Sequence, residues 1–311
     1  EFISGGNLIL ILIFTAFICL LLGMGLPTTA NYIVVSTLMA PVIVTLGAQN
    51  GLIVPLIAVH MFVFYFGILA DDTPPVGLAA FAASAIAHSD PIRTGIQGFT
   101  YDIRTGILPF LFIFNNELLM IGIENVWHLL VTIASAVMAM LMFAAATQGF
   151  FVVRSRWWET LALLLISFTL FRPGFWWDMV YPPNQILPPS AIYETVETMP
   201  SESSLQMHVE GENLEGKLIS KMVVMPMGDT GPGVERLERS GLLLRQENKK
   251  MLVDTVVFDS AAEKAGIDFD WEILSLQIPV DQPPKQWMYL PALMLLGMVV
   301  FMQRRRPAFS S

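Results

Sequence analysis

The sequence predicts an α-helical membrane protein with several spans and one small α+β domain outside the membrane. Hydrophobic residues make up 54% of the 311 residues and charged residues only 14%, whereas a typical soluble domain has about 25% charged residues. Residues 1–172 form a nearly continuous series of apolar runs, residues 173–286 have the composition of a soluble protein, and residues 287–303 are apolar again.

The acidic charge is confined to the middle segment. Residues 173–286 contain 18 Asp or Glu and 9 Lys or Arg, which accounts for the whole formal net charge of −9. This acidity disfavours nucleic acid as a partner. The single cysteine, Cys19, lies in an apolar run and is expected to pack there, because no second cysteine is available for an intrachain disulfide.

Apolar runs define the predicted spans, since a helix needs roughly 20 apolar residues to cross a bilayer core of about 30 Å. The runs are 7–26, 51–70, 106–123, 126–150, 157–172 and 287–303. Six of the seven tryptophans lie near their ends, as in an aromatic belt. We therefore predict a transmembrane region 1–172, an α+β domain 173–286, and a final transmembrane helix with an Arg-rich tail, 287–311.

Three groups of arginines predict the orientation: Arg93 with Arg104, Arg154 with Arg156, and Arg304–Arg306. The positive-inside rule places all three groups in the cytoplasm. Two crossings separate the second group from the third, so the domain 173–286 is expected on the periplasmic side of a bacterial inner membrane. Asp102 and Arg104 are expected in a cytoplasmic loop.

Helix-incompatible sequence interrupts two apolar stretches. The first break contains Gly23, Gly25, Pro27, Thr28, Thr29 and Asn31, and the second contains Asp71, Asp72, Thr73, Pro74 and Pro75. Proline lacks an N–H group and disfavours a helical residue before it. Backbone groups freed in this way cannot be satisfied by lipid, and such interrupted helices are typical of ion and substrate sites in secondary transporters.

The two breaks offer oxygen ligands that suit Na⁺. The candidate ligands are Thr73, Asn31 and Asp72, with further oxygen atoms from Thr28, Thr29 and Asp71. No other cofactor is expected. The alternative interpretation is that each break is an ordinary loop at the membrane surface.

Weaker candidates lie elsewhere in the apolar runs. His60 is expected to pack between helices rather than bind a ligand. Asn115, Asn116 and Glu117 interrupt the run 106–123, where they line a polar cavity or, alternatively, Glu117 caps a helix or extends to the interface.

Four segments together resemble a known family: Leu22–Tyr32, His60–Gly67, Asp71–Gly77 and Leu108–Phe110. They resemble the large membrane subunit of tripartite ATP-independent periplasmic (TRAP) transporters. The Asp-Asp-Thr-Pro-Pro motif and a periplasmic extension before a last span resemble the fused permease of the TAXI subgroup. The resemblance is close over about residues 5–150 and looser over 151–311.

This resemblance implies an elevator-type, Na⁺-coupled importer built from two inverted repeats, of which this chain is expected to hold the second. It implies as partners a periplasmic binding protein that delivers an organic anion, and the N-terminal repeat and small-subunit region of the permease. The ion-binding region of the family maps onto Gly23–Asn31 and Asp71–Val76. No enzymatic activity is expected.

Alternating apolar and polar residues in the soluble segment predict strands. They are Leu205–Val209, Ile219–Met227, Leu242–Arg245, Leu252–Phe258 and Trp271–Ile278. Ser260 and Glu263 have capping-box spacing and Gly266 fits a helix C-cap, whereas 173–190 is expected to be irregular. Strand, short helix and strand resemble the second half of a PDZ-like module that contacts a partner; the alternative is a purely structural cap.

Two other functions remain open from the residues alone. A non-catalytic membrane scaffold with a partner-binding outer domain would leave both breaks unresponsive to ions. An intramembrane protease is disfavoured, because His60 is followed by Met61 rather than by the Glu of His-Glu-x-x-His. Asp71 and Asp72 are also adjacent, whereas an aspartyl pair faces each other from two helices.

Overall fold

The computed structural model describes residues 7–50, 52–70, 73, 77–123, 125–201, 203–212, 216, 218–247, 250–280 and 282–306. The chain divides into two compact units. The helical unit comprises Glu1–Val44, Val54–Tyr181 and Pro283–Ser311, and the sheet unit comprises Thr45–Ile53 and Pro182–Gln282.

The described residues form the following α-helices: α1 Leu8–Gly23, α2 Thr28–Gln49, α3 Leu56–Leu69, α4 Leu78–Ala87, α5 Pro91–Phe114, α6 Val126–Gln148, α7 Trp157–Phe171, α8 Pro173–Val180, α9 Ile192–Thr198, α10 Gly233–Arg239, α11 Ala261–Lys264 and α12 Tyr289–Arg304. The strands are β1 Asn184–Leu187, β2 Ser204–Glu212, β3 Leu218–Pro226, β4 Leu242–Glu247, β5 Lys250–Val256 and β6 Glu272–Pro279. Short 3-10 turns occupy Asn116–Leu119, Pro189–Ala191 and Lys285–Met288.

Three helices of the described chain are long and apolar enough to cross a membrane: Thr28–Ala48, Val126–Gln148 and Lys285–Arg304. The pair α7 and α8 is a further candidate, bent by 78°. We predicted no span over Thr28–Ala48, and this was wrong. Its threonines, Asn31 and the internal Pro41 disguise a continuous helix, because a proline inside a helix is tolerated where neighbouring groups satisfy the freed carbonyl.

The helix α5 also differs from the prediction. The Asp90 carboxylate accepts a hydrogen bond from the Arg93 amide at 2.8 Å, and Pro91 follows the cap, a combination that begins a helix. The run 106–123 is therefore not a separate span, since α5 begins at residue 91 and ends at 114. Asp102 and Arg104 lie in this helix and not in a loop.

Helices α6, α7 and α12 pack into one apolar core that includes Ala139, Leu163, Ile166, Leu170 and Val299. The Ser167 hydroxyl donates to the Ala139 carbonyl at 2.8 Å. A buried hydroxyl bonded to the backbone of a neighbouring helix fixes the register of the pair without leaving an unpaired polar group.

A buried polar cluster ties the α6–α7 connection to α12. Glu159 and Gln303 are both fully buried. The Glu159 Oε2 atom accepts from the Arg156 amide at 2.9 Å and from Gln303 Nε2 at 3.0 Å, and its Oε1 forms an ion pair with Arg306. The Gln303 Oε1 atom accepts from the Val152 amide at 3.0 Å. Oε2 therefore accepts two hydrogen bonds, whereas Oε1 has no hydrogen-bond partner among the described residues and is balanced by the charge of Arg306.

The sheet unit contains an antiparallel sheet with strand order β3-β2-β6-β5-β4, and β1 pairs with β6. The predicted strands are confirmed. Strand β2 alternates buried and half-buried residues, as one covered face requires. The segment 173–190 is not irregular as predicted, since it forms α8 and β1. Helices α9 and α10 were not predicted, because seven residues carry little periodic signal.

The short helix α11 begins as predicted. Ser260 Oγ accepts from the Glu263 amide at 3.2 Å, and Gly266 has a φ of +76°, as a left-handed cap requires. The Glu263 carboxylate accepts from the Asp259 amide at 2.6 Å and not from Ser260. The reciprocal bond of the predicted capping box is therefore shifted by one residue.

Arg236 on α10 is fully buried at the centre of the sheet unit. Its guanidinium donates to the carbonyls of Val196, Met199, Pro200 and Gly228 at 2.6–3.2 Å. One side chain thus holds two loops and the end of α9 together. This is a structural use of a buried cation, because its hydrogen bonds go to neutral backbone carbonyls rather than to a carboxylate.

Candidate functional site

The first predicted break forms a tight corner between α1 and α2. Helix α1 ends at Gly23 and α2 begins at Thr28. The amide groups of Gly25 and Leu26 both donate to the Leu22 carbonyl, at 3.1 and 2.9 Å. The turn satisfies one of the last carbonyls of α1, so the corner needs no water or lipid partner there.

Some residues of this break are helical, contrary to prediction. Thr28, Thr29 and Asn31 lie in the first turn of α2, and the Asn31 amide donates to the Pro27 carbonyl at 3.0 Å. Proline is well suited to a helix start because its missing N–H would have no partner there. The non-helical stretch is thus shorter than expected, and Thr29 is exposed rather than turned inward.

Asn31 is the most distinctive polar residue of the corner. Its side chain is fully buried, and its Nδ2 donates to the Cys19 carbonyl in α1 at 2.8 Å. Its Oδ1 is buried without a hydrogen-bond partner. A buried carbonyl oxygen without a donor costs about 1–3 kcal/mol, so this atom is an open acceptor inside the helical unit.

Glycines allow the helices around Asn31 to approach closely. A Cβ atom at Gly23 would overlap the Cβ of Ala70 and would lie 2.8 Å from Asn31 Nδ2. A Cβ at Gly67 would lie 3.5 Å from the same nitrogen. A Cβ at Gly25, by contrast, would meet no atom within 4 Å. The first glycine of the motif is therefore required by packing, and the second is not.

The second predicted break is described only in part. Thr73 Oγ1 donates to the Leu69 carbonyl at 2.6 Å, and the Gly77 amide donates to the Thr73 carbonyl at 3.1 Å. Thr73 thus continues the end of α3 and keeps a hydroxyl lone pair available. The other candidates of this break lie outside the described residues: Asp71, Asp72, Pro74 and Pro75.

His60 pairs with a residue of α2. Its Nδ1 lies 2.9 Å from the Tyr32 hydroxyl, and the Tyr32 ring also meets the Phe64 ring edge-on. Because Tyr32 directly follows Asn31, this contact helps to fix the orientation of α2 against α3.

The cluster Asn115–Glu117 is a separate polar site. Asn115 Nδ2 donates to the Phe171 carbonyl at 2.6 Å. Glu117 forms ion pairs with His128 and Lys285 at 3.2 and 2.9 Å. Asn116 Oδ1 is buried without a partner. The carboxylate thus holds the start of α6 and the turn before α12 together.

The corner around Asn31 and the cluster Asn115–Glu117 lie at opposite ends of the helix pair α3 and α5. In the packing of α3 against α5, Gly106 lies beside Leu69 at the end of α3. Asn115 is nine residues further along α5, or about 14 Å at the rise of an α-helix. The sequence-predicted candidates therefore divide: Asn31, Gly23 and Thr73 lie near the end of α3, and Asn115–Glu117 do not.

Arg104 is a further polar residue that the sequence patterns did not mark as a candidate. It was assigned to a loop, whereas two of its guanidinium nitrogen atoms are buried without partners in α5. Polar residues at Gln97, Thr100 and Arg104 follow helical spacing and extend the helix N-terminally from the apolar run. This pattern was the available signal.

The described residues contain no group of three or more His, Cys, Asp or Glu side chains that could hold a metal ion. Transition metals prefer such ligands, whereas Na⁺ binds neutral oxygen atoms of amides, hydroxyls and carbonyls, as other hard cations do. The corner at Asn31 supplies these oxygen types.

Two family models match the chain. Residues 2–127 match the model described as tripartite ATP-independent periplasmic transporter, DctM component. Residues 129–308 match a domain of unknown function, DUF3394. No curated protein and no solved structure matches the chain. The candidate corner and Arg104 both lie in the first matched region, and the sheet unit after residue 181 lies in the second.

Proposed function

We propose that the chain is the permease of a Na⁺-coupled importer of an organic anion, because residues 2–127 match the DctM component of tripartite ATP-independent periplasmic transporters. The chain belongs to the family of the DUF3394 domain, whose model matches residues 129–308. Members of the DctM family are transporter components and not enzymes. The finer parts of the proposal, the coupling ion and the substrate class, rest on the site near Asn31.

The open oxygen of Asn31 carries the proposal. Burial removes water as a partner of Oδ1, and the other side-chain atom, Nδ2, already donates to the Cys19 carbonyl. A Na⁺ ion at Oδ1 would satisfy the acceptor without adding a hydrogen-bond donor. The Asn31 side-chain amide carries no charge, and a neutral ligand suits an ion that must be released again on the cytoplasmic side.

Helix ends supply the remaining attraction for a cation. The last turns of α1 and α3 point carbonyl groups and the negative end of the helix dipole towards the corner. Thr73 Oγ1 donates its proton to Leu69 and so offers only lone pairs to a ligand. Gly23 keeps these groups close, because a Cβ there would overlap Ala70 and press on Asn31, whereas a Cβ at Gly67 would only touch Asn31 Nδ2 at 3.5 Å.

We further propose the architecture that the family resemblance implies. The helical unit would act as the second of two inverted repeats in an elevator mechanism, in a TAXI-type permease whose first repeat and small-subunit region complete the site. A periplasmic binding protein would deliver the anion. The strand, short helix and strand at β5, α11 and β6 support a PDZ-like module in the sheet unit that contacts this protein.

A labelling experiment tests the proposed periplasmic position of 173–286. Cys19 is fully buried, so the wild type provides a low background. A Val152→Cys variant is expected to stay unlabelled by an impermeant maleimide in intact spheroplasts, whereas Ser201→Cys, which is exposed, is labelled. Labelling of position 152 alone would reverse the orientation.

Charge movement tests the coupling ion directly and requires no knowledge of the substrate. The full-length protein in proteoliposomes is exposed to Na⁺ concentration jumps on a solid-supported membrane. We expect a saturable transient current with Na⁺ and none with choline, and we expect Asn31→Leu to abolish it. Absence of a Na⁺ current in correctly folded wild type would contradict Na⁺ coupling at this site.

A further inference from the structure

Arginines from two distant segments meet at the C-terminal end of α12. Gln303 Oε1 accepts from the Val152 amide at 3.0 Å, and Gln303 Nε2 donates to Ser155 Oγ at 3.3 Å. Because Gln303 is fully buried, these bonds hold the turn between α6 and α7 against α12, and arginines flank the contact on both segments. We call them the arginine cluster: Arg154, Arg156, Arg304, Arg305 and Arg306.

The turn that carries Arg154 and Arg156 is closed by backbone hydrogen bonds. Gly149 ends α6 with a φ of +65°, and its carbonyl accepts from the Ser155 amide at 2.8 Å. Phe150 pairs with Arg154 in an antiparallel bridge. The two segments therefore keep their arginines together, since separating them would break the buried bonds to Gln303.

The arginine cluster has little negative charge to balance it. Glu159 is the only acidic residue in the stretches 149–160 and 299–306, and its carboxylate pairs with Arg306. The other four arginines are exposed and have no carboxylate partner among the ion pairs of the described residues. Loss of water and then repulsion from Arg156 lower the pKa of Arg306 below its usual value. An anion bound between the two segments would relieve this repulsion.

The chemistry of the guanidinium group indicates which anion fits. Its parallel N–H groups match two oxygen atoms of a phosphate, and it loses its hydration more readily than an ammonium group does. A phosphate also has enough oxygen atoms to contact guanidinium groups from both segments at once. The arginine cluster is therefore suited to a phosphate group.

Exposed aromatic rings border the arginine cluster. Trp157 directly follows Arg156 and is 76% exposed, and Phe301 on α12 is 55% exposed. The Arg305 guanidinium lies 4.1 Å from the centre of the Phe301 ring. Since α12 is apolar enough to cross a membrane, an exposed ring in its last turns faces lipid, and the stacked guanidinium lies at the boundary between headgroups and acyl chains. A ligand that fits both parts carries a phosphate next to hydrocarbon chains.

We propose that the arginine cluster binds the phosphate group of an anionic phospholipid whose acyl chains lie against Phe301 and Trp157. The lipid links the α6–α7 turn to the end of α12, in addition to the contacts of Gln303 and Glu159. The site lies in the region 129–308 and uses no residue of the proposed cation site. A soluble phosphate compound offers the same headgroup chemistry, and the test separates the two sources.

Native mass spectrometry of the purified full-length protein counts the lipid molecules that remain bound. The protein in a non-ionic detergent is titrated with dioleoyl phosphatidylglycerol, with dioleoyl phosphatidylcholine, or with glycerol phosphate. Two double variants each remove the exposed arginines of one segment: Arg154→Gln with Arg156→Gln, and Arg304→Gln with Arg305→Gln. Arg306 is retained because it pairs with the buried Glu159. The matched control is Arg93→Gln, which removes an exposed arginine from α5.

We expect the wild type and Arg93→Gln to bind phosphatidylglycerol saturably and in preference to phosphatidylcholine, and to bind it more weakly at higher ionic strength. Each double variant should weaken phosphatidylglycerol binding about tenfold or more, which corresponds to about 1.4 kcal/mol. Lysine pairs at the same positions keep the charge but lack the fork, so they should also bind more weakly than the wild type. They test the proposal even where a glutamine pair does not fold.

Several results would overturn the inference. They are equal binding of the two lipids by the wild type, unchanged phosphatidylglycerol affinity in either double variant, and an equal loss of affinity in Arg93→Gln. Glycerol phosphate that binds as tightly as phosphatidylglycerol would show that a soluble phosphate, and not a lipid, is the ligand.

Discussion

Asn31 and Glu159 are both fully buried polar side chains of the helical unit, yet the protein treats them differently. The Glu159 carboxylate receives the Arg156 amide, Gln303 Nε2 and Arg306. Asn31 uses its donor and leaves its acceptor open. Glu159 has an opposite charge and two hydrogen-bond donors around it and holds helices together, whereas we propose that the open oxygen of the neutral Asn31 side chain binds a cation.

The same division follows the two family matches. Glu159 and Gln303 lie in the region 129–308, and Asn31 and Gly23 lie in 2–127. We therefore expect substitutions in the first pair to change stability and substitutions in the second pair to change ligand responses. Four predictions test this separation, in order of decreasing expected effect.

Glu159→Ala should cause the largest loss of stability. It leaves the Arg156 amide without its acceptor and Gln303 Nε2 with only Ser155 Oγ, at 3.3 Å, and breaking a buried charged pair costs about 3 kcal/mol or more. Thermal unfolding in detergent measures the loss, with Glu235→Gln as control, since Glu235 forms only an exposed pair with Arg239. If a Glu159→Ala protein that is still folded lost its Na⁺ response, Glu159 would affect ligand binding as well as stability, which would contradict the separation of the two roles.

Gly23→Ala should damage the cation site, whereas Gly25→Ala should not. The added methyl group at position 23 overlaps Ala70 and presses on Asn31, and such overpacking costs about 1–3 kcal/mol. The position 25 methyl group meets open space. The Na⁺ dependence of the unfolding temperature is measured in Gly23→Ala and Gly25→Ala. Equal Na⁺ responses in the two variants would show that close packing at Gly23 is not needed for the cation site.

Thr73→Ala should weaken Na⁺-coupled uptake by about tenfold, roughly the loss of one coordinating contact of about 1.4 kcal/mol. The control is Thr37→Ala. Thr37 donates to the Ile33 carbonyl at 2.7 Å, as Thr73 does to Leu69, but on an exposed face of α2. If the Na⁺ dependence of uptake in Thr73→Ala equals that of Thr37→Ala and of the wild type, Thr73 has no part in the cation site.

Asp259→Asn should have the smallest effect, because its ion pair with Lys264 is exposed. The hydrogen bond from Lys264 and its charge hold the pKa of Asp259 below the ordinary value of 3.8. The pair therefore contributes stability above that value, and the contribution is lost as pH falls through the lowered pKa. Unfolding temperatures measured from about pH 2 to pH 6 should lose this small acid dependence equally in Asp259→Asn and Lys264→Met.

Much of the sheet unit followed from the sequence, because alternation and caps are local signals. The strands from residue 205 to 278 and the cap at Ser260 required only neighbouring residues. Helix α10 was missed, since its stability comes from Arg236 and the distant carbonyls that it binds. No local pattern reveals a partner 40 residues away.

The candidate site was predictable in its residues but not in its geometry. Proline and glycine located the corner near Asn31, yet only the packed helices reveal which of its two amide atoms is satisfied. Arg104 was misplaced because charge favoured a loop, whereas Asp90 and Pro91 begin a helix that includes it. In both cases the outcome depends on hydrogen bonds that individual polar atoms make, and the hydropathy of a segment does not reveal those bonds.

The sodium dependence of thermal unfolding tests the central claim most directly. The purified full-length protein is heated while NaCl replaces choline chloride at constant ionic strength, in the wild type and in Asn31→Leu. A ligand that binds only the folded protein stabilises it by RT ln(1 + [L]/Kd). We predict a saturable, Na⁺-specific rise in the wild type that Asn31→Leu abolishes. A flat response in the folded wild type, or an unchanged rise in Asn31→Leu, would contradict a cation site at the open oxygen of Asn31.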